Sequence, residues 1–435
     1  MKTLFDLLQE KNNLPSGNIY SKKIKNKIYF YHQYREGNLN ISNLLTTDEV
    51  AVLKPQIERR KQIECSIKSI FKSGNRELEL SNYAREYTGY VMSGDKVVAE
   101  FDKGILVSEP DELCPLIIKR TKILKEFLKT RSIDSGRTNS RLLRKILNIN
   151  VKDDTLVSLC SYAASITDNY WFKPKHSKLK YKDISFDNDM LFDTALRGLI
   201  TIYPKKIILS PELTTNGSYE KGWRNIDGEW WLYKVGTIEE RYSEMFYSML
   251  MEKLNLPTAH YELEDTFIKT KNFVIKDNFE PMISLVGENE NLEYIYSVLN
   301  DINHGIALDF LRLSTFDVVL NNVDRHNENC GVMRDRITGE IICLAPNYDD
   351  NISLISRNKN LVIGENEGFL NAFIKTINAS SVLKEALSEI DFPNINEEML
   401  LEIHKKINLP ISIDFKKIQD FILFRYKTIL KIVNK

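Results

Sequence analysis

The chain has 435 residues, 43% of them hydrophobic and 10% aromatic, which is enough to bury the cores of two or three domains. Its five cysteines are scattered and form no Cys-x-x-Cys pair, which argues against a disulfide framework and against a zinc ribbon. The net charge is zero, but residues 1–150 carry +9 (27 Lys and Arg against 18 Asp and Glu) and the remainder carries −9 (33 against 42).

The start of the chain does not have the form of a secretory signal. Asp6 and Glu10 interrupt the apolar run that a signal peptide needs, and no later segment approaches the length and hydrophobicity of a membrane span. Cysteines without a pairing pattern suit a reducing compartment. We therefore expect a soluble, cytoplasmic protein without a membrane partner.

A small leading module is predicted for residues 1–80. Residues 27–30 and 39–45 alternate as strands around a glycine turn at 36–38, and the sequence Thr-Thr-Asp-Glu at 46–49 caps a charged helix that extends to about residue 71. Residues 81–200 should form a second region. Short strands within 87–107 precede helices at 116–128, 140–147 and 155–166, and a polar loop covers 173–188.

The second region contains the densest basic run of the chain, from Lys119 to Lys145. Seven cations between residues 122 and 144 are opposed by only Glu126 and Asp134. Such a run is a candidate nucleic-acid surface. The alternative, which we favour, is a solvated helix pair whose cations face water or the acidic second half, because no aromatic stacking platform is interleaved.

Residues 201–280 read as strand, polar loop, strand and helix. Strands are predicted at 206–209 and 229–235, the loop at 210–224 contains Gly217 and Gly222, and the helix spans 239–254. Lys234 near the end of the second strand can reach phosphate. Glu244, ten residues later on the helix, can pair with Lys234 and hold it in place.

The region 201–280 ends with two more predicted strands, at 258–262 and 272–276. They lead to a hinge from Val274 to Phe279, where Val274 and Lys276 would border an adenine ring.

Residues 281–435 are predicted to be mainly helical. Beyond the hinge we expect helices at 292–299, 306–320, 381–390, 396–407 and 414–433, with a hairpin of 331–333 and 341–344 around the turn at 338–339.

The most informative pattern lies on either side of that hairpin. Asp324 is followed five residues later by Asn329, and Asp349 comes after the hairpin. Kinases use an Asp as catalytic base and an Asn with a second Asp as oxygen ligands for Mg²⁺. The pattern predicts phosphoryl transfer from ATP, with Asp324 orienting the acceptor hydroxyl and Asn329 and Asp349 holding the metal.

These residues resemble the HipA-like serine/threonine kinases of bacteria. The family pattern Asp-x-His-x-x-Asn, followed by Leu-x-Pro-x-Tyr-Asp, is met at Asp324, His326, Asn329, Leu344, Pro346, Tyr348 and Asp349. The similarity covers about residues 200–435 and is weaker over 80–195. It implies an α+β, two-lobed kinase-like fold with a smaller β-containing N-lobe (201–280), a mainly helical C-lobe (281–435) and an additional α/β N-terminal region.

The resemblance also implies cofactors, an acceptor and partners. The implied cofactors are ATP and Mg²⁺, and the implied phosphate acceptor is a Ser or Thr residue of a protein. The family also implies that the chain could be a toxin with an antitoxin-like partner. The phosphate loop departs from the family's usual glycine-glutamine-lysine version. In this chain its contacts would come from Asn216, Gly217, Ser218 and Lys221, and Thr214, Thr215 and Ser218 are candidates for autophosphorylation.

Two neighbours of the base have expected roles. His326 would face the cofactor and support the loop more readily than it would ligate a metal, because no second His or Cys lies at ligand spacing. Arg325 would contact phosphate or anchor the loop.

Two other function classes remain open. The run Asp324-Arg325-His326-Asn327 also resembles the catalytic loop of phosphoinositide kinases, which would make the chain a lipid or small-molecule kinase. However, those enzymes continue to Asp-Phe-Gly, whereas Asp350 and Asn351 follow Asp349 here. The second alternative is an inactive kinase fold that regulates by binding nucleic acid. The presence of Lys234, Asp324, Asn329 and Asp349 argues against that reading.

Overall fold

The computed structural model describes residues 7, 10–11, 13–25, 27–36, 39–73, 86–147, 149, 153–200, 209–357, 361–364 and 368–433. The fold is mixed α+β, as expected. The chain divides into two compact units. The first comprises 1–78, 146–150 and 200–205, and the second comprises 79–145, 151–199 and 206–435.

The first unit contains an antiparallel sheet of three strands and one long helix. The strands are β1 (Asn18–Ile24), β2 (Lys27–Glu36) and β3 (Leu39–Leu45), in that order, and the helix is α1 (Thr47–Ser73). The β2–β3 hairpin and the helix were predicted, whereas β1 was not. The predicted cap is present, because Thr46 Oγ1 accepts from the Glu49 amide while the Glu49 carboxylate accepts from the Thr46 amide. The glycine turn at 37–38 lies outside the described residues.

The second unit opens with a sheet in the order β6-β5-β4-β7 and a group of short helices. The predicted strands within 87–107 are confirmed, while β7 falls at the start of the expected polar loop. The helix predicted at 116–128 is two helices, because Lys122 adopts a left-handed φ of 59° between them. The elements are β4 (Gly89–Ser93), β5 (Lys96–Asp102), β6 (Ile105–Leu106), α2 (Leu116–Thr121), α3 (Leu124–Lys129), α4 (Thr138–Ile146), α5 (Asp154–Ser158), β7 (Tyr170–Pro174) and α6 (Phe192–Arg197).

A four-stranded sheet in the order β10-β11-β9-β8 carries the first candidate site residues. Its strands are β8 (Lys221–Ile226), β9 (Glu229–Val235), β10 (Tyr261–Glu264) and β11 (Phe267–Lys271), and helix α7 (Ile238–Lys253) follows β9. The β8–β9 turn uses Asp227 and Gly228 with φ of 52° and 87°, the positive pair that a tight hairpin requires. The strand predicted at 272–276 is wrong, because the strand ends at Lys271. Residues 206–208 of the strand predicted at 206–209 lie outside the described residues.

A third sheet of the second unit joins segments that are distant in sequence. Strands β12 (Asn278–Pro281), β13 (Gly331–Arg334) and β14 (Ile341–Leu344) pair in that order. The predicted β13–β14 hairpin is confirmed. Arg334 is 1% exposed and donates to Glu280 Oε1 at 2.7 Å and to the Cys114 carbonyl at 2.9 Å. This buried ion pair ties residues 112–114 to the third sheet.

Helices and one continuous apolar core make up most of the remaining chain. The core extends from Tyr242 on α7 to Ile429 on the last helix. Helices at 292–299, 306–320, 381–390, 396–407 and 414–433 were predicted, and α8 and α11 were not. The helices are α8 (Met282–Val286), α9 (Leu292–Ile302), α10 (His304–Val319), α11 (Gly368–Ala379), α12 (Ser381–Glu389), α13 (Glu397–Ile407) and α14 (Phe415–Val433). None of the helices in the described ranges combines the length and apolar character needed to cross a membrane.

Candidate active site

The predicted site residues converge on one cavity in the second unit. Its volume is about 430 Å³, and residues from the first half of that unit, among them Phe127, Arg131 and Asp168, form part of its wall. The predicted residues that line it are Asn216, Gly217, Ser218, Lys221, Lys234, Asp324, His326, Asn329 and Asp349. Tertiary folding therefore brings the polar loop, the strand lysine and both sides of the β13–β14 hairpin together.

Lys234 is held between two carboxylates. Its Nζ donates to Glu244 Oε1 at 2.9 Å and to Asp349 Oδ1 at 2.7 Å. Burial opposes the charged form of this lysine, but Asp349 and Glu244 raise the pKa of Lys234 well above its usual value. The ion pair of Lys234 with Glu244 was predicted from sequence. The direct contact with Asp349 was not.

Asp349 is fixed in an unusual backbone conformation. Its φ is 61°, in the left-handed region that a residue with a side chain rarely adopts, at a cost of roughly 1–3 kcal/mol. Two contacts hold it there, because its amide donates to Tyr261 Oη at 3.0 Å and its carboxylate accepts from Lys234. Burial would raise the pKa of Asp349, but the charges of Lys234 and Lys221 hold that pKa below its usual value. The carboxylate is therefore ionised at neutral pH.

Lys221 is a second lysine on the wall of the cavity. It pairs directly with Lys234 across the β8–β9 hairpin, so the two side chains leave the same face of the sheet. Burial lowers the pKa of Lys221 to about 8, although the nearby Asp349 favours its charged form. Its Nζ lies against Gly217, where an added Cβ would be only 2.2 Å away. The polar loop thus covers the lysine through a glycine whose φ is 108°.

The catalytic loop predicted from sequence is internally hydrogen-bonded. Asn329 Nδ2 donates to the Asp324 carbonyl at 3.0 Å, which closes the loop. The Glu328 amide donates to His326 Nδ1 at 3.2 Å, so this ring nitrogen is an acceptor. The Asp324 side chain is half-buried and faces the cavity. This geometry agrees with a supporting role for His326.

Arg325 anchors the loop from behind. Its guanidinium pairs with Asp317 at 3.0 Å and with Asp350 at 2.5 Å, and it donates to the carbonyls of Asn329 and Tyr348. Burial opposes its charge, but Asp317 and Asp350 raise the pKa of Arg325 well above its usual value. Of the two roles left open for this residue, the contacts are those of an anchor. Sequence reasoning did not identify its partners.

The residues present fit a divalent cation held jointly with phosphate. Asn329 and Asp349 line the same cavity and offer one amide and one carboxylate. Within the described ranges no group of three or more His, Cys, Asp or Glu side chains is arranged to hold a metal ion. Mg²⁺ is usually bound by one or two carboxylates together with substrate phosphates and water, and the set at this cavity meets that description.

The residues that line the predicted adenine side differ from those expected. Val274 is 7% exposed and is buried against Met333 and Ala345, and Lys276 is exposed to solvent. Neither is among the residues that line the cavity. Thr270, Lys271, Asn272 and Phe273 occupy that part of the wall, and Phe273 forms an aromatic cluster with Phe279 and Tyr348 at ring separations of 5.6–5.9 Å. The shift follows from β11 ending at Lys271.

Hydroxyl groups of the polar loop differ in exposure. Thr214 is 6% exposed and its Oγ1 donates to the Pro211 carbonyl. Thr215 Oγ1 donates to the same carbonyl at 2.6 Å and accepts from the Trp223 indole. Ser218 is exposed. Of the three residues, only Ser218 presents its hydroxyl to solvent.

The basic run from Lys119 to Lys145 is not a continuous exposed stripe of cations. Arg131 forms a buried ion pair with Asp168 at 2.6 Å, and Arg137 is 1% exposed and donates to the Thr215 carbonyl. Arg120 donates to the carbonyls of Ile283 and Ser284. Several cations of the run therefore serve the packing of the second unit, whereas Lys122, Lys125 and Lys129 are exposed, so the run is only in part the solvated surface that we favoured.

Comparisons with known proteins give similarities in structure alone. No family model and no curated protein matches the chain. A solved complex of HipA, HipB and operator DNA from the toxin-antitoxin system of Shewanella oneidensis is 13% identical, with a TM-score of 0.47 over 80% of this chain and 97% of that chain. The proinflammatory kinase CtkA of Helicobacter pylori is 17% identical, with a TM-score of 0.40 over 49% of this chain and 92% of that chain.

Proposed function

We propose that the chain is a Mg²⁺- and ATP-dependent serine/threonine protein kinase of the HipA-like type. One observation carries the proposal. Lys234 is held by Glu244 and Asp349 at 2.9 and 2.7 Å on the same cavity that Asp324 and Asn329 line. In this proposal residues 201–280 form the N-lobe of a kinase and residues 281–435 form the C-lobe.

The nucleotide would be bound by charge at one end and by an aromatic wall at the other. Lys221 and Lys234 supply two adjacent cations for the phosphates, and Phe273 with Tyr348 supplies the apolar surface for the base. Mg²⁺ held by Asn329 and Asp349 would neutralise phosphate charge. The buried pairing of Lys234 with Glu244 keeps its ammonium in place, so little reorganisation is needed when phosphate binds.

Asp324 would act as the base toward the acceptor hydroxyl. A carboxylate within hydrogen-bond reach of a hydroxyl orients it and takes its proton as the hydroxyl oxygen bonds to the γ-phosphorus, the bond from that phosphorus to the β–γ bridging oxygen breaks, and ADP leaves. The Asn329 amide fixes the backbone of Asp324, and Arg325 fixes the backbones of Asn329 and Tyr348. The base and the two metal ligands are thereby held relative to one another by two hydrogen-bonded side chains.

Two substitutions distinguish this mechanism from other uses of the cavity. Asp324→Asn should bind Mg-ATP nearly as the wild type does and lose phosphotransfer by about 10² to 10⁴. Lys234→Ala should weaken ATP binding as well as turnover, because its charge contacts phosphate in the ground state and in the transition state. Calorimetry with Mg-ATP and transfer of radiolabelled phosphate measure the two effects separately.

The acceptor assay also separates the function classes. Purified protein is incubated with labelled Mg-ATP and either a cell lysate or a lipid panel, and the labelled product is identified. Label on protein Ser or Thr supports the proposal, and label on lipid supports the phosphoinositide-kinase alternative. An Asp324→Asn variant with wild-type activity, or a wild type inactive on every acceptor, would overturn the catalytic assignment. A toxin role predicts growth arrest on expression that Asp324→Asn relieves.

A further inference from the structure

One face of the three-stranded sheet in the first unit is exposed and aromatic. The strand register aligns Tyr20 with Tyr31 and Tyr31 with Leu44, so these side chains form a row across one face. The two tyrosine rings stack at 5.3 Å with an interplanar angle of 16°. Tyr20 is 42% exposed and Leu44 is 59% exposed, whereas His32 on the opposite face is buried. The tyrosine row therefore faces solvent.

A group of lysines lies at one end of this aromatic row. Lys22, Lys23, Lys25 and Lys27 lie at the β1–β2 hairpin, and all four are exposed. Residues 11–35 contain no Asp or Glu. None of the four lysines has an ion-pair partner among the residues that the structure describes. Lys22 is two residues from Tyr20, and so on the same face, and its register partner there is Tyr29.

This combination differs from the basic run at 119–145. There, Arg131 and Arg137 are buried in internal contacts. Here, exposed lysines that have no ion-pair partner among the described residues lie beside the exposed ring of Tyr20 and the half-buried rings of Tyr29 and Tyr31. Proteins combine cations with aromatic rings in this way to hold single-stranded nucleic acid. The lysines attract the phosphates, and the tyrosines stack on the bases. A duplex hides the faces of its bases, so the tyrosine row would add little to duplex binding.

We propose that the face formed by Tyr20, Lys22, Lys27, Tyr29 and Tyr31 binds single-stranded nucleic acid, with bases stacked on Tyr20 and Tyr31. On strand β2 the face runs from Lys27 to Tyr31, which at about 3.3 Å per residue is roughly 13 Å. Its contacts lie wholly within the first unit. The proposal does not depend on the proposed kinase activity.

The test measures binding of labelled oligothymidine and oligouridine, about 16 nucleotides long, to the full chain by fluorescence anisotropy. Tyr20→Leu and Tyr31→Leu should each weaken binding by roughly 5- to 150-fold, because loss of stacking costs about 1–3 kcal/mol per base. Tyr20→Phe retains the ring face and should bind as the wild type does. Mg-ATP should not compete, which separates this surface from the cavity in the second unit.

Salt dependence tests the lysines. Replacing Lys22 and Lys27, the two lysines of this face, together with Gln should reduce the slope of log affinity against log salt by about 1.4, since each lost phosphate contact contributes about 0.7. The matched control replaces two exposed lysines of the second unit, Lys122 and Lys178, and should leave the slope unchanged. Circular dichroism verifies that each variant is folded.

Three results would overturn the proposal. The first is absence of binding by the wild type. The second is a combination of two observations: the wild type binds a duplex of the same length as tightly as the single strand, and the folded Tyr20→Leu and Tyr31→Leu variants bind as the wild type does. Binding would then be explained by charge attraction alone. The third is tighter binding to vesicles of anionic phospholipid than to either oligonucleotide, which would identify a membrane-binding surface.

Discussion

Lys221 and Lys234 lie directly opposite each other on neighbouring antiparallel strands. Two like charges at this position repel, and only Lys234 has two carboxylates in direct contact. The two lysines therefore have different pKa values. The pKa of Lys234 is raised, whereas burial lowers the pKa of Lys221 to about 8. Near neutral pH the cavity therefore has one permanently charged lysine and one that titrates.

ATP affinity should fall above pH 8. Bound phosphate favours the charged form of Lys221, which is lost as pH rises through about 8. Lys221→Arg keeps a charge at all of these pH values and should bind ATP without the decline. Calorimetric titrations with Mg-ATP between pH 7 and pH 9.5, values on either side of this midpoint, provide the measurement. The same decline in Lys221→Arg would show that another group is responsible.

The stability of the protein without nucleotide should change in the opposite direction. An unfolded lysine keeps its proton up to the usual pKa of 10.5, whereas folded Lys221 loses it near 8. Between these values the unfolded state binds more protons, so the contribution of Lys221 to the free energy of unfolding rises with pH. The rise is about 3 kcal/mol and should be missing in Lys221→Met. Urea unfolding of both proteins across this range measures it, and an identical rise in the variant would contradict the assignment.

Gly217 and Gly228 form a matched pair for testing the polar loop. Both have positive φ, 108° and 87°, so an alanine at either position is strained. Only at Gly217 does an added Cβ meet another group, Lys221 Nζ at 2.2 Å, since nothing lies within 4 Å of it at Gly228. Gly217→Ala should displace the lysine and weaken ATP binding by roughly tenfold or more, about 1.4 kcal/mol. Gly228→Ala should lose a similar amount of stability but keep its ATP affinity, as unfolding and calorimetry together will show.

Local patterns were sufficient to predict much of the candidate site. Lys234 and Glu244 lie on adjacent elements that sequence periodicity identified, and their ten-residue separation makes the 2.9 Å contact a local event. The β13–β14 hairpin has the predicted strands, so the positions of Asn329 and Asp349 on one cavity follow from short-range pairing. Each of these relationships depends on fewer than thirty residues of chain.

Relationships set by tertiary packing were not predictable in this way. The pairing of β11 with β9 extends as far as Lys271. Of the residues that follow, Asn272 and Phe273 line the cavity, whereas Val274 and Lys276 do not. The buried role of Arg131 depends on Asp168, 37 residues away. Nothing in a single sequence distinguishes such an arginine from a solvated one, since its partner is chosen by the packing of several elements.

Ser218 should be the residue of the polar loop that the protein phosphorylates on itself. Its hydroxyl is exposed, whereas Thr214 and Thr215 donate to the Pro211 carbonyl. Mass spectrometry after incubation with Mg-ATP should find phosphate on Ser218 in the wild type and none in this loop in Ser218→Ala or Asp324→Asn. Phosphate on Thr214 or Thr215 in the Ser218→Ala variant would show that the loop opens beyond the conformation described.

Arg325 should control both stability and the alignment of the catalytic loop. Arg325→Met leaves Asp317 and Asp350, which are 2% and 0% exposed, without their cation, so the free energy of unfolding should fall by about 3–5 kcal/mol. Lys406→Met breaks an exposed pair with Glu402 and should lower the free energy of unfolding far less than Arg325→Met does. Urea unfolding of the two variants measures this contrast.

The conservative variant Arg325→Lys separates charge from geometry. A lysine keeps the cation but lacks the planar fork that reaches Asp317, Asp350 and the carbonyls of Asn329 and Tyr348 together. Stability should therefore be partly retained, while kcat falls more than ATP affinity because the proposed base and the proposed metal ligands lose their common support. The double variant Arg325→Met/Asp317→Asn should recover part of the stability lost in Arg325→Met, since one uncompensated buried carboxylate is removed. If Arg325→Lys had wild-type kcat, the hydrogen bonds to the two carbonyls would be unimportant for turnover.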